Sequence, residues 1–168
     1  MFKTEKQKIV FRVVYCVYFI FLIWVILFKT RFNILELQTD RTLSFKLYEI
    51  SDVTSVNVQV KWIILNILVF IPLGAYFEII KPKSSIIFKS LLCFVVSLLF
   101  ESAQYILAIG AADITDLINN TIGGLLGIIF ALILKKICKE NTIEIINKLG
   151  CVLSIIIIGI LGLCIISN

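Results

Sequence analysis

The sequence predicts an all-α membrane protein, a bundle of five transmembrane helices with its N-terminus in the cytoplasm and its C-terminus outside. Three observations predict it. Of the 168 residues 60% are hydrophobic and only 16% charged, with a mean hydropathy of +1.07. A soluble domain of this size leaves about a third of its unfolded surface exposed and has too little interior for that much apolar side chain. The apolar residues also gather in five blocks, at 9–28, 62–80, 86–109, 117–134 and 149–166, each 18 to 24 residues long and bounded by Lys, Arg, Asp or Asn. Such lengths suit helices crossing a hydrocarbon core of roughly 30 Å. Finally, eleven of the sixteen basic residues fall before or in the first turn of block one, between blocks two and three or in the first turn of block three, or between blocks four and five, which the positive-inside rule assigns to the cytoplasm. The same composition excludes disorder, collagen, a coiled coil and a nucleic-acid-binding domain, and the formal charge of +5 reads as membrane topology.

Lys3, Lys6, Lys8 and Arg12 precede the apolar run Val13–Phe28 of block one, which ends in Lys29-Thr30-Arg31 without a small-residue cleavage pattern, so it reads as a retained signal anchor. The loop 29–61 comes next, too long for a mere crossing, and is expected to cap the outer surface. Within it Leu43, Phe45 and Leu47 alternate with polar residues, as do Val56, Val58 and Val60. That periodicity fits two short strands or a segment lying in the headgroup region.

Block two carries Asn66, Phe70, Gly74 and Glu78 at four-residue steps. Pro72 cannot donate to the carbonyl of Leu68, so an opened or kinked turn is expected there. Glu78, near Lys81, reads as an ion-paired surface carboxylate at the inner end. Block three carries Glu101 and, three residues on, Gln104, with Ser97 one turn before. Their depths below the outer end are ~12 Å for Glu101 and ~8 Å for Gln104. A charged side chain at mid-membrane costs at least ~2.5 kcal/mol, so it faces protein or water and is a functional candidate by default.

Block four begins after Asp113-Ile-Thr-Asp116. Asp113, Asp116, Asn120, Gly123 or Gly124, and Gly127 recur at three- and four-residue steps and form one stripe if the helix starts near Asp113. One carboxylate is expected to cap the helix, and the Gly123-x-x-x-Gly127 spacing lets a neighbouring helix approach closely. The domain reading is a four-span unit at 1–134, a basic cytoplasmic connector at 135–148 and a fifth helix at 149–168. With no His and no Cys pair at ligand spacing, neither a metal nor a cofactor is expected.

Topology and depth together place Asn66, Glu101, Gln104, Asp113, Asp116 and Asn120, from three helices, in the outer half of the membrane. The expectation is one polar cavity opening outward, walled by blocks two, three and four. Interhelical hydrogen bonds as structural glue, worth ~0.6 kcal/mol each, are the simpler account of the amides.

Three stretches then carry a resemblance: Asn66-Ile-Leu-Val-Phe-Ile-Pro72-Leu-Gly74, Glu101-Ser-Ala-Gln104, and Asp113-Ile-Thr-Asp116-Leu-Ile-Asn-Asn120-Thr-Ile-Gly123-Gly124-Leu-Leu-Gly127. In order and spacing they resemble the VanZ-like family of small multi-span bacterial membrane proteins, over about residues 9–134. Many members have an Asn-Leu-Ile-Pro-Phe-like stretch where this chain has Leu43-Ser-Phe-Lys-Leu-Tyr48, and an Arg where it has Gly110. Any role of that loop or that Arg toward anionic ligands is therefore not carried over.

The resemblance implies a multi-pass protein of the bacterial plasma membrane, similar to proteins that raise resistance to the lipoglycopeptide teicoplanin in Gram-positive cells. It implies no reaction. The favoured class is a non-enzymatic envelope protein binding an amphiphile: membrane lipid, a lipid-linked cell-wall precursor or a lipoglycopeptide, with no nucleic acid. The alternatives are a lipid- or precursor-modifying enzyme with Glu101 and Asp116 as catalytic candidates beside Asp113, and a proton-coupled transporter.

Overall fold

The computed structural model describes residues 2–28, 43–44, 56–107 and 112–166. Among the described residues are five α-helices: α1 (Glu5–Phe28), α2 (Val56–Ile80), α3 (Ile86–Leu107), α4 (Ile114–Cys138) and α5 (Thr142–Ile166). A 3-10 turn, Lys139–Asn141, separates the last two. Two-residue strands β1 (Leu43–Ser44) and β2 (Ala112–Asp113) pair in parallel. Among the described residues four helical stretches are long and apolar enough to cross a membrane: Glu5–Leu27, Val58–Ile80, Ile86–Leu107 and Ile114–Gly159. The last takes α4, the turn and most of α5 as a single stretch of 46 residues.

Two sequence expectations change. Residues 56–60, with their valine alternation, are the first turns of α2; of the other expected strand, Leu43 and Ser44 lie among the described residues and are extended. Three alternating pairs are too few to outweigh continuity with the apolar run behind them. A helix also satisfies its own backbone at the membrane boundary, as a lone strand does not. The basic connector at 135–148 is largely helical: α4 runs on to Cys138 and α5 starts at Thr142. Lysine is a good helix former, so basic residues alone do not end a helix. The break comes at Lys139, whose φ of 46° is left-handed. There the Thr142 hydroxyl donates to the Lys139 carbonyl at 2.7 Å. Glu78 supplies the second change and is taken up with the site.

The chain divides into two compact units, Met1–Leu22 with Ile133–Asn168, and Ile23–Leu132. In the first, α1 buries Phe11, Val14, Tyr15, Tyr18 and Leu22 at three- and four-residue steps, one face of a helix. Its aromatic rings stack in sequence, Phe11 on Tyr15 at 4.6 Å and Tyr15 on Tyr18 at 5.9 Å. Gly150 of α5 lies against Val14, and Asn147 donates to the Gln7 carbonyl at 3.0 Å.

The second unit holds α2, α3, most of α4 and the strand pair. Lys81-Pro-Lys-Ser84 turns α2 back into α3, with Ser84 N–H donating to the Lys81 carbonyl at 3.1 Å. The five buried residues of α3 are Lys89, Cys93, Ser97, Glu101 and Gln104, while Leu91, Leu98, Leu99 and Ile106 point outward. A helix that turns small and polar side chains toward its neighbours and leucine away is built for lipid, where apolar surface gains nothing by hiding and interhelical contacts supply the association. Helix α2 runs unbroken through the half-buried Pro72.

Candidate functional site

Packing of α2 on α4 sets the geometry. A Cβ on Gly74 would fall onto the carbonyl oxygen of Gly124, one on Gly123 onto that of Ile67, and one on Gly127 onto that of Ile71. Backbone therefore meets backbone, as small residues permit in a membrane. Gly124 also lies against the Cys93 side chain of α3. Gly74, Gly123 and Gly124, singled out in the sequence, are thus placed in the helix contact, where any side chain would push the helices apart.

Above the glycines the same three helices meet through polar groups. Asn120 of α4 donates to the Ser97 hydroxyl of α3 at 2.9 Å. One turn further, Asn66 of α2 donates to Asp116 of α4 at 2.6 Å. The separation of fifty residues is the same as between Gly74 and Gly124, so α2 and α4 run parallel over this stretch. Glu101 of α3 accepts from the backbone N–H of Asp113 at 2.8 Å.

Asp113 does two things. Its N–H meets Glu101, and its carboxylate accepts the N–H of Thr115 at 2.8 Å, the expected cap on the first turn of α4. Asp116 is left to bond across to α2. The segment bearing Asp113 is also β2, whose partner strand brings Ser44 of the long loop opposite Asp113. Residues 29–42 and 45–55 of that loop, with most of the Leu43–Tyr48 stretch, and Gly110 lie outside the described residues.

Gln104 stands near the C-terminal end of α3 and donates to the Ile26 carbonyl of α1 at 2.8 Å. It is 1% exposed and Asn120 0%. Among the described residues Gln104 Oε1 and Asn120 Oδ1 have no hydrogen-bond partner. Glu101 is 5% exposed and Asp113 and Asp116 are half-buried. Among the described residues no three of His, Cys, Asp and Glu are grouped to hold a metal ion.

Sequence reasoning missed two features. Thr115 and Asn119 are buried at the start of α4, and the helical stripe through Asp116 and Asn120 was drawn too narrowly to include them. Glu78 is no surface carboxylate: it pairs with Lys89 across the α2–α3 hairpin, both side chains 2% exposed. Lys81 is adjacent in sequence but exposed, whereas Lys89 lies on the stripe that α3 turns inward. The inward register of Lys89, four residues before Cys93 and eight before Ser97, was the signal available.

The model of the VanZ/LLP1 family matches residues 15–135. Protein VanZ of Enterococcus faecium is 32% identical over 152 residues, which are 90% of this chain and 92% of that protein. No solved structure matches the chain. The matched region takes in α2, α3 and nearly all of α4 with every polar contact between them described above, and several apolar helices accompany it. This multi-pass membrane chain belongs to the VanZ/LLP1 family.

Proposed function

We propose that the chain is a bacterial plasma-membrane protein that protects the cell envelope against teicoplanin-type lipoglycopeptides. It binds an amphiphile, either the acylated antibiotic or a lipid-linked wall precursor, at an outward-facing polar site between α2, α3 and α4. The observation that supports this most is the joining of Asn66 to Asp116 and of Glu101 to Asp113 at one level of three helices. Carboxylates in a span are costly unless they are used or fully paired. The acceptors at Gln104 and Asn120 that lack donors among the described residues favour a ligand able to donate, such as an amide, hydroxyl or ammonium group.

In this reading the chain crosses the bilayer five times, N-terminus inside and C-terminus outside. The stretch Ile114–Gly159 is 46 residues, more than twice what one crossing needs, and the left-handed Lys139 breaks it near its middle beside Lys135, Lys136 and Lys148.

The test is expression in a teicoplanin-susceptible Gram-positive host at measured membrane abundance. The inhibitory concentration of teicoplanin rises, that of a glycopeptide without an acyl chain stays, and a cytoplasm-only reporter fused after Asn168 is silent. An unchanged teicoplanin response overturns the protective role, and an active reporter overturns the topology.

A further inference from the structure

The formal charge of +5 is not shared evenly along the chain. The unit made of Met1–Leu22 and Ile133–Asn168 holds eight basic residues, four before Val13 and four from Lys135 to Lys148, against the three acids Glu5, Glu140 and Glu144. The remaining residues carry eight of each sign, so the whole surplus belongs to this unit. Each of its acids is matched by one of its lysines: Glu5 by Lys8 at 2.6 Å, Glu140 by Lys3 at 3.4 Å and Glu144 by Lys148 at 2.7 Å. Five cations are left in excess, and four of them, Lys6, Arg12, Lys136 and Lys139, are exposed.

The fold gathers these cations at one end of the unit. Lys3 reaches Glu140 and donates to the Asn141 side chain at 3.3 Å, while Asn147 donates to the Gln7 carbonyl. The start of α1 therefore lies beside the turn Lys139–Asn141 and the start of α5. Lys6 is three residues from Lys3, Lys139 is next to Glu140, and Lys136 is in the last turn of α4. Beneath the cations the same helix faces are aliphatic. On α1 Lys6 shares its face with the exposed Ile9 and Val13, three and seven residues on; on α4 Lys136 shares its face with the exposed Ile133, three residues back. Arg12 sits deeper on α1, with a stem long enough to carry its guanidinium toward the end of the helix. Along either helix apolar side chain gives way to cation in the same direction. A nucleic acid or an acidic protein would meet the charge and leave the isoleucines unmatched; an amphiphile with an anionic head meets both.

We propose that this end of the unit binds anionic phospholipid, the phosphate-bearing heads on Lys6, Lys136 and Lys139 with Arg12, and the acyl chains along Ile9, Val13 and Ile133. The positive-inside rule asks only that basic residues lie on one side of the bilayer and does not choose among headgroups. A cation held near an anionic lipid surface contributes about a fivefold preference, so several held together select anionic over zwitterionic lipid. The inference makes no use of the ligand proposed above.

The experiment offers the full-length protein, in mixed micelles, equal amounts of phosphatidylglycerol and phosphatidylcholine with identical acyl chains. The lipid retained per chain is counted by mass spectrometry after gel filtration. At low salt the wild-type chain is expected to prefer phosphatidylglycerol about tenfold, and at 0.5 M salt, where screening shortens to roughly 4 Å, less than about threefold. K6Q/K136Q/K139Q brings the preference to within about twofold of none. K61Q/K81Q/K83Q removes the same charge from exposed lysines of the other unit and stays within about twofold of wild type. Where the first triple fails to accumulate, the salt dependence of the wild-type chain and competition by glycerophosphoglycerol, the same headgroup without tails, decide the matter. A wild-type preference below about twofold, a preference indifferent to salt, or equal losses in the two triples overturns the proposal. So does displacement of the lipid by glycerophosphoglycerol or a short oligonucleotide at equal concentration, which would mark a surface for any anion.

Discussion

Asn66 of α2 donates its amide to the carboxylate of Asp116 on α4, fifty residues later in the chain, at 2.6 Å. The bond gives a half-buried acid in a stretch apolar enough to span a membrane an amide partner on the neighbouring helix. It also separates two roles of Asp116, acceptor and charge.

Asp116→Asn keeps an acceptor at the Oδ1 position and is expected to lose well under 1 kcal/mol. Asp116→Ala leaves the Asn66 amide without its partner and loses about 1–3 kcal/mol. Thermal unfolding of the detergent-solubilised protein distinguishes the two, and equal melting temperatures would show that the bond contributes nothing.

The glycines divide into two classes. Gly74→Ala and Gly127→Ala drive a methyl into the backbone of the facing helix and are expected to cost about 2 kcal/mol or more, with loss of membrane accumulation. Gly159 and Gly162 of α5 have nothing within 4 Å of such a methyl. Alanine there is neutral or stabilises by up to ~1 kcal/mol through helix propensity. Quantitative immunoblotting with a melting curve for each variant checks the contrast.

How much of this was legible in the sequence depends on how far each signal reaches. The apolar blocks gave the helices because lipid demands length and composition, both local properties. Asn66, Glu101, Asp113 and Asp116 stood out because a polar residue in a span is conspicuous wherever it points, and the structure brings these four into two bonded pairs. The pairing of Glu78 with Lys89 was legible only from the stripe Lys89, Cys93 and Ser97, and the closer Lys81 masked it; the turn at Lys81-Pro-Lys-Ser84 brings the two helices together. Gly74, Gly123 and Gly124 looked like members of the polar cluster because the stripe runs through them; which helix rests on a glycine is a tertiary fact. The break at Lys139 had no signal at all, because neither Gly nor Pro marks it.

Glu101→Gln preserves shape and keeps an oxygen to accept the Asp113 N–H, now at 2.8 Å. A binding role predicts protection within about twofold of wild type, as a neutral acceptor replaces a charged one. A role in proton transfer predicts loss of ~100-fold or more of the underlying rate, read as full susceptibility at equal abundance.

Lys139 is exposed and left-handed, with φ 46°. Lys139→Gly removes the Cβ conflict and is expected to stabilise by about 1 kcal/mol, while Lys139→Val, branched at Cβ, destabilises by a similar or larger amount. The measurement is again thermal unfolding, with Lys135→Gly, inside α4, as the reverse control that destabilises by about 1 kcal/mol.

The measurement closest to the central claim is teicoplanin susceptibility of a Gram-positive host carrying the wild-type chain, Asn66→Ala, Asp116→Ala and the double variant, all at the same membrane abundance. If the two side chains serve one site, each single change removes most of the protection and the double removes no more, since residues that act as a unit are non-additive. Independent, additive losses, or singles that protect as well as wild type, would contradict the account.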